Sequence, residues 1–272
     1  MSEDKRLSIL IISCDKNTDV LSHQVELFGK YWGDCSFPVY LVSESKAIES
    51  NYKTILFGQQ TTWTKEVLYA IDQTPGRYVL LLLDDAYLYE SVNNQLFVEI
   101  VDFMEKNSIK YYRIPRMRNR YLLKADFPDS DNVSRLFDNR AYEVTIGITI
   151  WDKFELKNVF GDGSRTAWEI ENDFSKNAVH NKGAFIDGYV TDKRMILSVA
   201  HMITAGKWMP SGLRIMKKHG VIIDTKPRGV LSLGKRIQMT VYYVGTKICP
   251  TPFRHVIKKA LSFFGFKFVT KY

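Results

Sequence analysis

Apolar positions in the first half of the chain follow two alternating rhythms. Short continuous runs at Leu7 to Ile12, Pro38 to Val42, Thr54 to Phe57, Tyr78 to Leu83 and Tyr111 to Ile114 read as strands. The wholly apolar ones suit strands covered on both faces. Between these runs the spacing changes to three and four. Thr18 to Trp32 puts Val20, Leu21, Val25, Phe28, Tyr31 and Trp32 on one helical face. Asn94 to Lys106 does the same with Leu96, Phe97, Ile100, Val101 and Met104. Thr62 is placed to cap a helix carrying Trp63, Val67, Leu68 and Ile71. Strand and helix in turn predict an α/β fold with a parallel or mostly parallel, Rossmann-like sheet.

The rhythm fades after Ile114. Pro115 to Ser134 is polar and gathers Arg116, Arg118, Arg120 and Lys124 close behind Arg113, so a long loop is expected. Val144 to Trp151 is expected to return as a strand, and Gly161-Asp162-Gly163-Ser164 to form a turn. Near the end, Thr251-Pro252 opens a last helix. Phe253, Val256, Ile257, Ala260, Leu261, Phe264 and Phe268 fall on one side of it, and Arg254, His255, Lys258 and Lys259 on the other. That division describes a helix lying in a membrane interface.

Charge sharpens this picture. The net charge of +8 is uneven: of the 38 Lys and Arg and 30 Asp and Glu, 14 and one respectively lie from Ala205 onward. The first 204 residues are therefore net acidic, and the basic excess at the end suits an anionic partner. No apolar run approaches the ~20 residues of a membrane-spanning helix. The charged start is not that of a signal peptide. Cys14, Cys35 and Cys249 lack zinc-ligand spacing and are expected to be reduced thiols of a cytoplasmic protein. The expected division is a catalytic domain over 1–240 and a basic amphipathic tail over 241–272.

Two segments carry candidate chemistry. The run from Tyr78 to Leu83 ends abruptly in Asp84 and Asp85. Ligands of open α/β sheets bind beyond the carboxyl ends of the strands, where paired acids need a compensating cation or hydroxyl network. A divalent ion bridging carboxylates to phosphates is one solution. The other segment is Trp168-Glu169-Ile170-Glu171-Asn172. A carboxylate against an aromatic wall has its pKa raised and becomes a better general base. Glu169 and Glu171 share a side in an extended chain and diverge in a helix, so one of them is expected to reach an acceptor.

At these residues the chain resembles GT-A glycosyltransferases, and more closely the small bacterial transferases of surface-polysaccharide (capsule, O-antigen) clusters. The resemblance runs from residue 7 to about 230. It rests on Ile12-Ser13-Cys14-Asp15, Trp63 at the start of a helix, Leu82-Leu83-Asp84-Asp85, Trp168-Glu169-Ile170-Glu171 and Gly206-Lys207-Trp208. It implies a GT-A-like mixed sheet flanked by helices, with the basic amphipathic helix as an extension. It also implies transfer of a sugar, from a UDP-sugar by preference, to a hydroxyl of a lipid-linked glycan. Ser13, Asp15 and Trp63 match the donor-binding region, and Asp84 and Asp85 the metal and diphosphate region. His201 lies where a late metal ligand is found in some members. Ala86 replaces a third acid, so the resemblance allows Mn2+, Mg2+ or no metal. Lys207 and Arg228 would supply charge to the phosphates. Glu171, or else Glu169, would take the acceptor proton in a direct, inverting displacement. The enzyme would work at the inner face of the cell membrane, held by its tail on anionic lipid.

Two other classes compete. One is a non-catalytic membrane-surface or nucleic-acid-binding protein on the same scaffold. Nucleic acid is disfavoured because the tail's aromatics lie away from its cations. The other is a nucleotidyltransferase, but Ser13 to Thr18 contains no glycine-rich phosphate loop.

Overall fold

The computed structural model describes residues 4–58, 61–115, 126–128, 130–137 (backbone only for 137), 143–177 (backbone only for 175–177) and 185–239. The chain divides into two compact units, Met1–His201 and Met202–Tyr272. The Phe253 to Phe268 helix, Cys249 and the 241–272 tail lie outside the described residues.

The first unit contains β1 (Leu7–Ile12), α1 (Thr18–Trp32), β2 (Val39–Ser43), β3 (Lys53–Leu56), α2 (Trp63–Asp72), β4 (Tyr78–Leu83) and β5 (Ala86–Leu88). It continues with α3 (Asn94–Lys106), β6 (Tyr111–Arg113), β7 (Asp126–Phe127), β8 (Ser130–Phe137) and β9 (Thr149–Asp152). It ends with α4 (Lys153–Phe160), α5 (Ala167–Asn177), β10 (Phe185–Asp192) and β11 (Val199–His201). Nine strands form one sheet in the order β3-β2-β1-β4-β9-β6-β10-β8-β7. The first four are mutually parallel, and β9 runs antiparallel to both β4 and β6. The fold class is thus the expected one, a Rossmann-type mixed sheet flanked by helices.

The continuous apolar runs are explained by cover on both faces. Leu7, Ile9 and Ile11 of β1, with Tyr78, Leu80 and Leu82 of β4, pack with Phe28 and Trp32 of α1 and Phe97, Ile100 and Met104 of α3. The alternate residues Leu10, Ile12, Val79 and Leu81 pack with Val67 and Ile71 of α2, Leu156 and Phe160 of α4 and Ile170 of α5. Every residue of β1 is buried. The two layers hold most of the stability, since each buried aliphatic side chain contributes about 1.5–3 kcal/mol. The helix starts are chemically marked. Thr62 accepts the Lys65 N–H, and Asn93 accepts those of Gln95 and Leu96.

Two expectations are corrected here. Pro115 to Ser134 is not all loop: Asp126–Phe127 and Ser130–Phe137 are strands, and β8 pairs antiparallel with β10. The sequence of β8, Ser-Asp-Asn-Val-Ser-Arg-Leu-Phe, is mostly polar and buries Val133, Ser134 and Leu136. Its strand character comes from a neighbour distant in sequence, which local propensity does not register. The strand expected over Val144 to Trp151 is confined to Thr149–Asp152. Val144 and Ile146 are buried without pairing in the sheet, and Ile148 adopts φ 55°.

In the second unit, β12 (Ile203–Thr204) and β13 (Lys207–Trp208) form a hairpin around Ala205-Gly206. Both turn residues have positive φ, the pattern of a type I′ turn. Pro210 opens α6 (Pro210–Lys218). A further helical segment, 233–239, exposes Leu233 and Ile237 beside Lys235 and Arg236. Among the described residues no helix is long and apolar enough to cross a membrane.

Candidate active site

The sheet order places a switch point between β1 and β4. β2 and β3 extend to one side of it, β4 and the remaining strands to the other. Ligands of open α/β sheets bind at such a point, beyond the strands' carboxyl ends. Ser13 follows β1 there, and Asp84 and Asp85 follow β4. Ser13 Oγ donates to Asp84 Oδ2 at 2.7 Å, and the Asp84 N–H donates to the Ile12 carbonyl at 3.0 Å. The two strand ends are thereby tied together. Both carboxylates are buried, Asp84 at 7% and Asp85 at 8% exposure.

Asp85 is reached from a second direction. β5 pairs antiparallel with β11, which aligns Ala86 with His201. His201 Nδ1 then lies 2.9 Å from Asp85 Oδ2, while Asp85 Oδ1 is buried and accepts no hydrogen bond from the described residues. An unsatisfied buried carboxylate oxygen is costly and calls for a function. The pair suits a divalent cation. A 2.9 Å separation is also that of neighbouring ligands on an octahedral ion with bonds of about 2.1 Å. Mg2+ is commonly held by one or two protein groups plus substrate phosphates. No group of three or more His, Cys, Asp or Glu side chains arranged for a metal occurs among the described residues. Asp85 and His201 supply one carboxylate and one imidazole, the number of protein donors that suffices for a cation also bound by substrate phosphates.

Asp15 is bonded to the chain that follows β2. Its Oδ1 accepts the Ser45 and Lys46 N–H groups at 2.9 and 3.0 Å and Ser43 Oγ at 3.3 Å, and its Oδ2 accepts Ser45 Oγ. Those bonds, from Ser45 above all, hold its pKa down at about 2. Asp15 clamps the chain after β2 to the chain after β1, and its N–H donates to Glu44 Oε2 at 2.9 Å. Trp63 stands at the start of α2, with its ring 5.8 Å from that of Phe160.

The Trp168 segment is the first two turns of α5, so Glu169 and Glu171 diverge. Glu169 Oε2 accepts the Thr166 N–H at 2.7 Å, and the Glu169 N–H donates to Thr166 Oγ1 at 3.3 Å. This is a capping box. The bonds from Thr166 lower the Glu169 pKa, and Trp168 is 68% exposed and walls nothing off. The expected raised pKa at Glu169 is therefore corrected: helix capping lowers it. Glu171 points elsewhere. Its Oε1 accepts the Ile146 N–H at 2.8 Å. Ile146 precedes β9, whose Thr149 pairs with Leu81 of β4 and Arg113 of β6. Glu171 is thus anchored to the same sheet edge that carries Asp84.

Lys207 and Arg228 belong to the second unit. The Trp208 N–H donates to the Gly229 carbonyl at 3.1 Å, and the Leu231 N–H to the Trp208 carbonyl at 2.9 Å. That bridge sets the two cationic residues on adjacent backbone segments.

One acid at this edge has no counterpart among the expectations. Glu66 of α2 is only 3% exposed, on the same stripe as Val67, Ala70 and Ile71. A charged residue on the apolar stripe of a helix was the available signal. Burial, with the charges of Glu44 and Asp15, pushes its pKa up to about 7 from 4.5. The folded chain holds a proton there that the unfolded chain releases above pH 4.5. The stability from this group is complete below that value and is lost as pH rises to about 7. Glu66→Gln is expected to stabilise the protein by about 2–3 kcal/mol at pH 8 and by little at pH 4.5. Urea denaturation at both pH values checks this.

No protein-family model matches the chain, and neither does any curated protein. Solved structures do resemble it in fold. The S. aureus TarS 1-349 structure matches at TM-score 0.46 and 13% identity over 71% of this chain, which spans 59% of that one. The same protein in complex with UDP matches at 0.48 and 9%, covering 90% and 72%. The mannosyltransferase PcManGT from Pyrobaculum calidifontis, in complex with GDP-Man and Mn2+, matches at 0.43 and 9%, covering 68% and 56%. A cytidylyltransferase from Leptospira borgpetersenii matches at 0.39 and 13%, covering 62% and 69%.

Proposed function

We propose that this protein is a glycosyltransferase that moves a sugar from a nucleotide-diphosphate donor, a UDP-sugar by preference, to a hydroxyl of a lipid-linked glycan. The observation that carries this reading is the buried Asp84–Asp85 pair at the switch point, with His201 against Asp85. Ser13 holds Asp84 in place, and Asp15 fixes the loops on which the nucleoside would rest. Asp85 and His201 would hold Mn2+ or Mg2+, which when bound offsets the charge growing on the departing diphosphate.

Glu171 is the proposed general base. It takes the acceptor hydroxyl proton as that oxygen forms its bond to the anomeric carbon and the bond to the diphosphate breaks. A single displacement of this kind inverts the anomeric centre. Glu171→Gln is expected to lower kcat by ~10²–10⁴-fold. Glu169→Gln is expected to leave kcat intact, because glutamine still accepts the Thr166 N–H of the capping box. Equal losses of kcat in both variants would remove Glu171 from this role.

The proposed place of work is the cytoplasmic face of the membrane, with the 241–272 tail on anionic lipid. Truncation after Val244 is expected to abolish co-sedimentation with anionic vesicles. Retained pelleting would sink the anchoring role. The donor is tested with a panel of UDP-, GDP-, dTDP- and CMP-sugars plus Mn2+ or Mg2+, reading thermal stabilisation and slow donor hydrolysis. One donor class that stabilises the wild type and not Asp85→Ala supports the transferase. Pyrophosphate release from a nucleoside triphosphate would point to a nucleotidyltransferase instead.

A further inference from the structure

We propose that the second unit meets an anionic lipid surface through residues 222–237, with Ile222, Leu233 and Ile237 inserted below the headgroups and the surrounding lysines lying on them. This rests on the membrane-surface reading above and deepens it. Lipid contact moves from the 241–272 tail alone to a surface built by the second unit itself.

The second unit exposes as many large apolar side chains as it buries. Between Met202 and Met239 the buried ones are Met202, Trp208, Met216, Ile223 and Leu231. The exposed ones are Ile222, Val230, Leu233, Ile237 and Met239. The described residues of the first unit expose only six, against a core of two full layers. An apolar excess of this kind on so short a stretch marks an interaction surface.

The backbone holds these side chains outward. Ile222 and Ile223 are neighbours outside any helix, and with Ile223 buried Ile222 stands 86% exposed. Val230 and Leu231 divide in the same way, since the Leu231 N–H donates to the Trp208 carbonyl at 2.9 Å and Leu231 is buried. Turning either exposed residue inward would turn its buried neighbour out. Leu233 and Ile237 lie four apart on the 233–239 helix and share a face of it. Ser232 starts that helix: its Oγ accepts the Lys235 N–H at 3.3 Å and its carbonyl the Arg236 N–H at 3.1 Å.

Charge selects the partner. Met202 to Met239 holds eight Lys and Arg and one acid, Asp224. Lys217, Lys218, Lys226 and Lys235 are exposed. One carboxylate does not neutralise eight cations, so the surface is positive as a whole. Exposed aliphatic side chains set among cations match a bilayer interface, whose headgroups take the charge and whose acyl chains take the aliphatic groups. Nucleic acid would satisfy the cations alone, because Ile222, Leu233 and Ile237 offer no ring for a base to stack on. A second copy of the chain would cover the aliphatic groups but bring its own cations against these.

The test is co-sedimentation of the full chain with vesicles of phosphatidylglycerol and phosphatidylcholine. Wild type is compared with the triple variant Ile222→Ser, Leu233→Ser, Ile237→Ser. All three side chains are exposed, so an unchanged melting temperature is expected. The variant is expected to partition ~10²-fold more weakly, since an aliphatic side chain is worth about tenfold or more when fully inserted and these insert in part. Salt is expected to weaken both chains alike, because their cations are the same. Leu233→Trp reads the contact with the apolar surface kept. Its fluorescence is expected to shift to the blue on vesicles and to be quenched by brominated acyl chains beyond the wild-type signal. Equal pelleting of wild type and triple variant, or a Leu233→Trp signal no different from that of wild type, would overturn the inference and leave lipid contact to the tail. So would a triple variant changed only in oligomeric state by light scattering, which gives the surface to a second copy. Salt-sensitive binding of an oligonucleotide with none to vesicles would overturn it in favour of nucleic acid. A wild-type chain that pellets with no vesicle at any salt concentration would bring down the membrane-surface reading itself, and this inference with it.

Discussion

Asp85→Asn is expected to lower kcat/KM for sugar transfer by ~10³-fold or more, with the melting temperature unchanged or raised. The buried Oδ1 without a partner and the 2.9 Å approach of His201 make Asp85 a group maintained at a cost to the fold. Asparagine keeps the shape and removes the charge. If Asp85 serves to hold a cation on the donor diphosphate, several kcal/mol of transition-state stabilisation go with that charge. Steady-state kinetics and a thermal melt on the same preparation test both halves. Full activity, or an activity loss matched by a large fall in melting temperature, would show that Asp85 serves the fold and not the chemistry.

Gly76→Ala is expected to destabilise the first unit by about 2–5 kcal/mol. Gly76 turns the chain into β4 with φ +78°, where a Cβ costs ~1–2 kcal/mol by itself. That Cβ would also meet the carbonyls of Lys5 and Arg6, 2.6 Å from the latter, for a further ~1–3 kcal/mol. The backbone cannot retreat easily, because the Tyr78 N–H donates to the Arg6 carbonyl and Leu7 pairs with Tyr78. The whole β1–β4 register, and with it the meeting of Ser13 and Asp84, depends on that corner. A domain of this size loses about 2–4 °C per kcal/mol, so a fall of roughly 10 °C is expected by calorimetry. A change within 2 °C would refute the account of the corner.

The helices α1 and α3 run over Thr18–Trp32 and Asn94–Lys106, as their apolar spacing predicts. Those signals are local: a stripe at i, i+3, i+4 is complete within one segment. β8 is different. Its polar sequence becomes a strand only because β10 lies beside it, and that partner is some fifty residues away in the chain. The same division runs through the candidate site. Asp84 and Asp85 were legible because an apolar run stopping at two acids is a local event. The clamp formed by Asp15, the cap formed by Glu169 and the buried place of Glu66 were not. Each depends on which group the fold brings opposite the carboxylate.

The sequence by itself determined the alternation of strand and helix, the burial of β1 and β4 on both faces, and the presence of acids at the end of β4. It did so because periodicity and run length report how each segment must bury itself. Only the tertiary structure decided the function open to each acid. It joined Asp84 to Ser13 across the switch point, set His201 on Asp85 through the β5–β11 pair, spent Asp15 and Glu169 on backbone N–H groups, and left Glu66 buried between like charges. A carboxylate's pKa and partners are properties of its surroundings, and those are assembled from strands far apart in the chain.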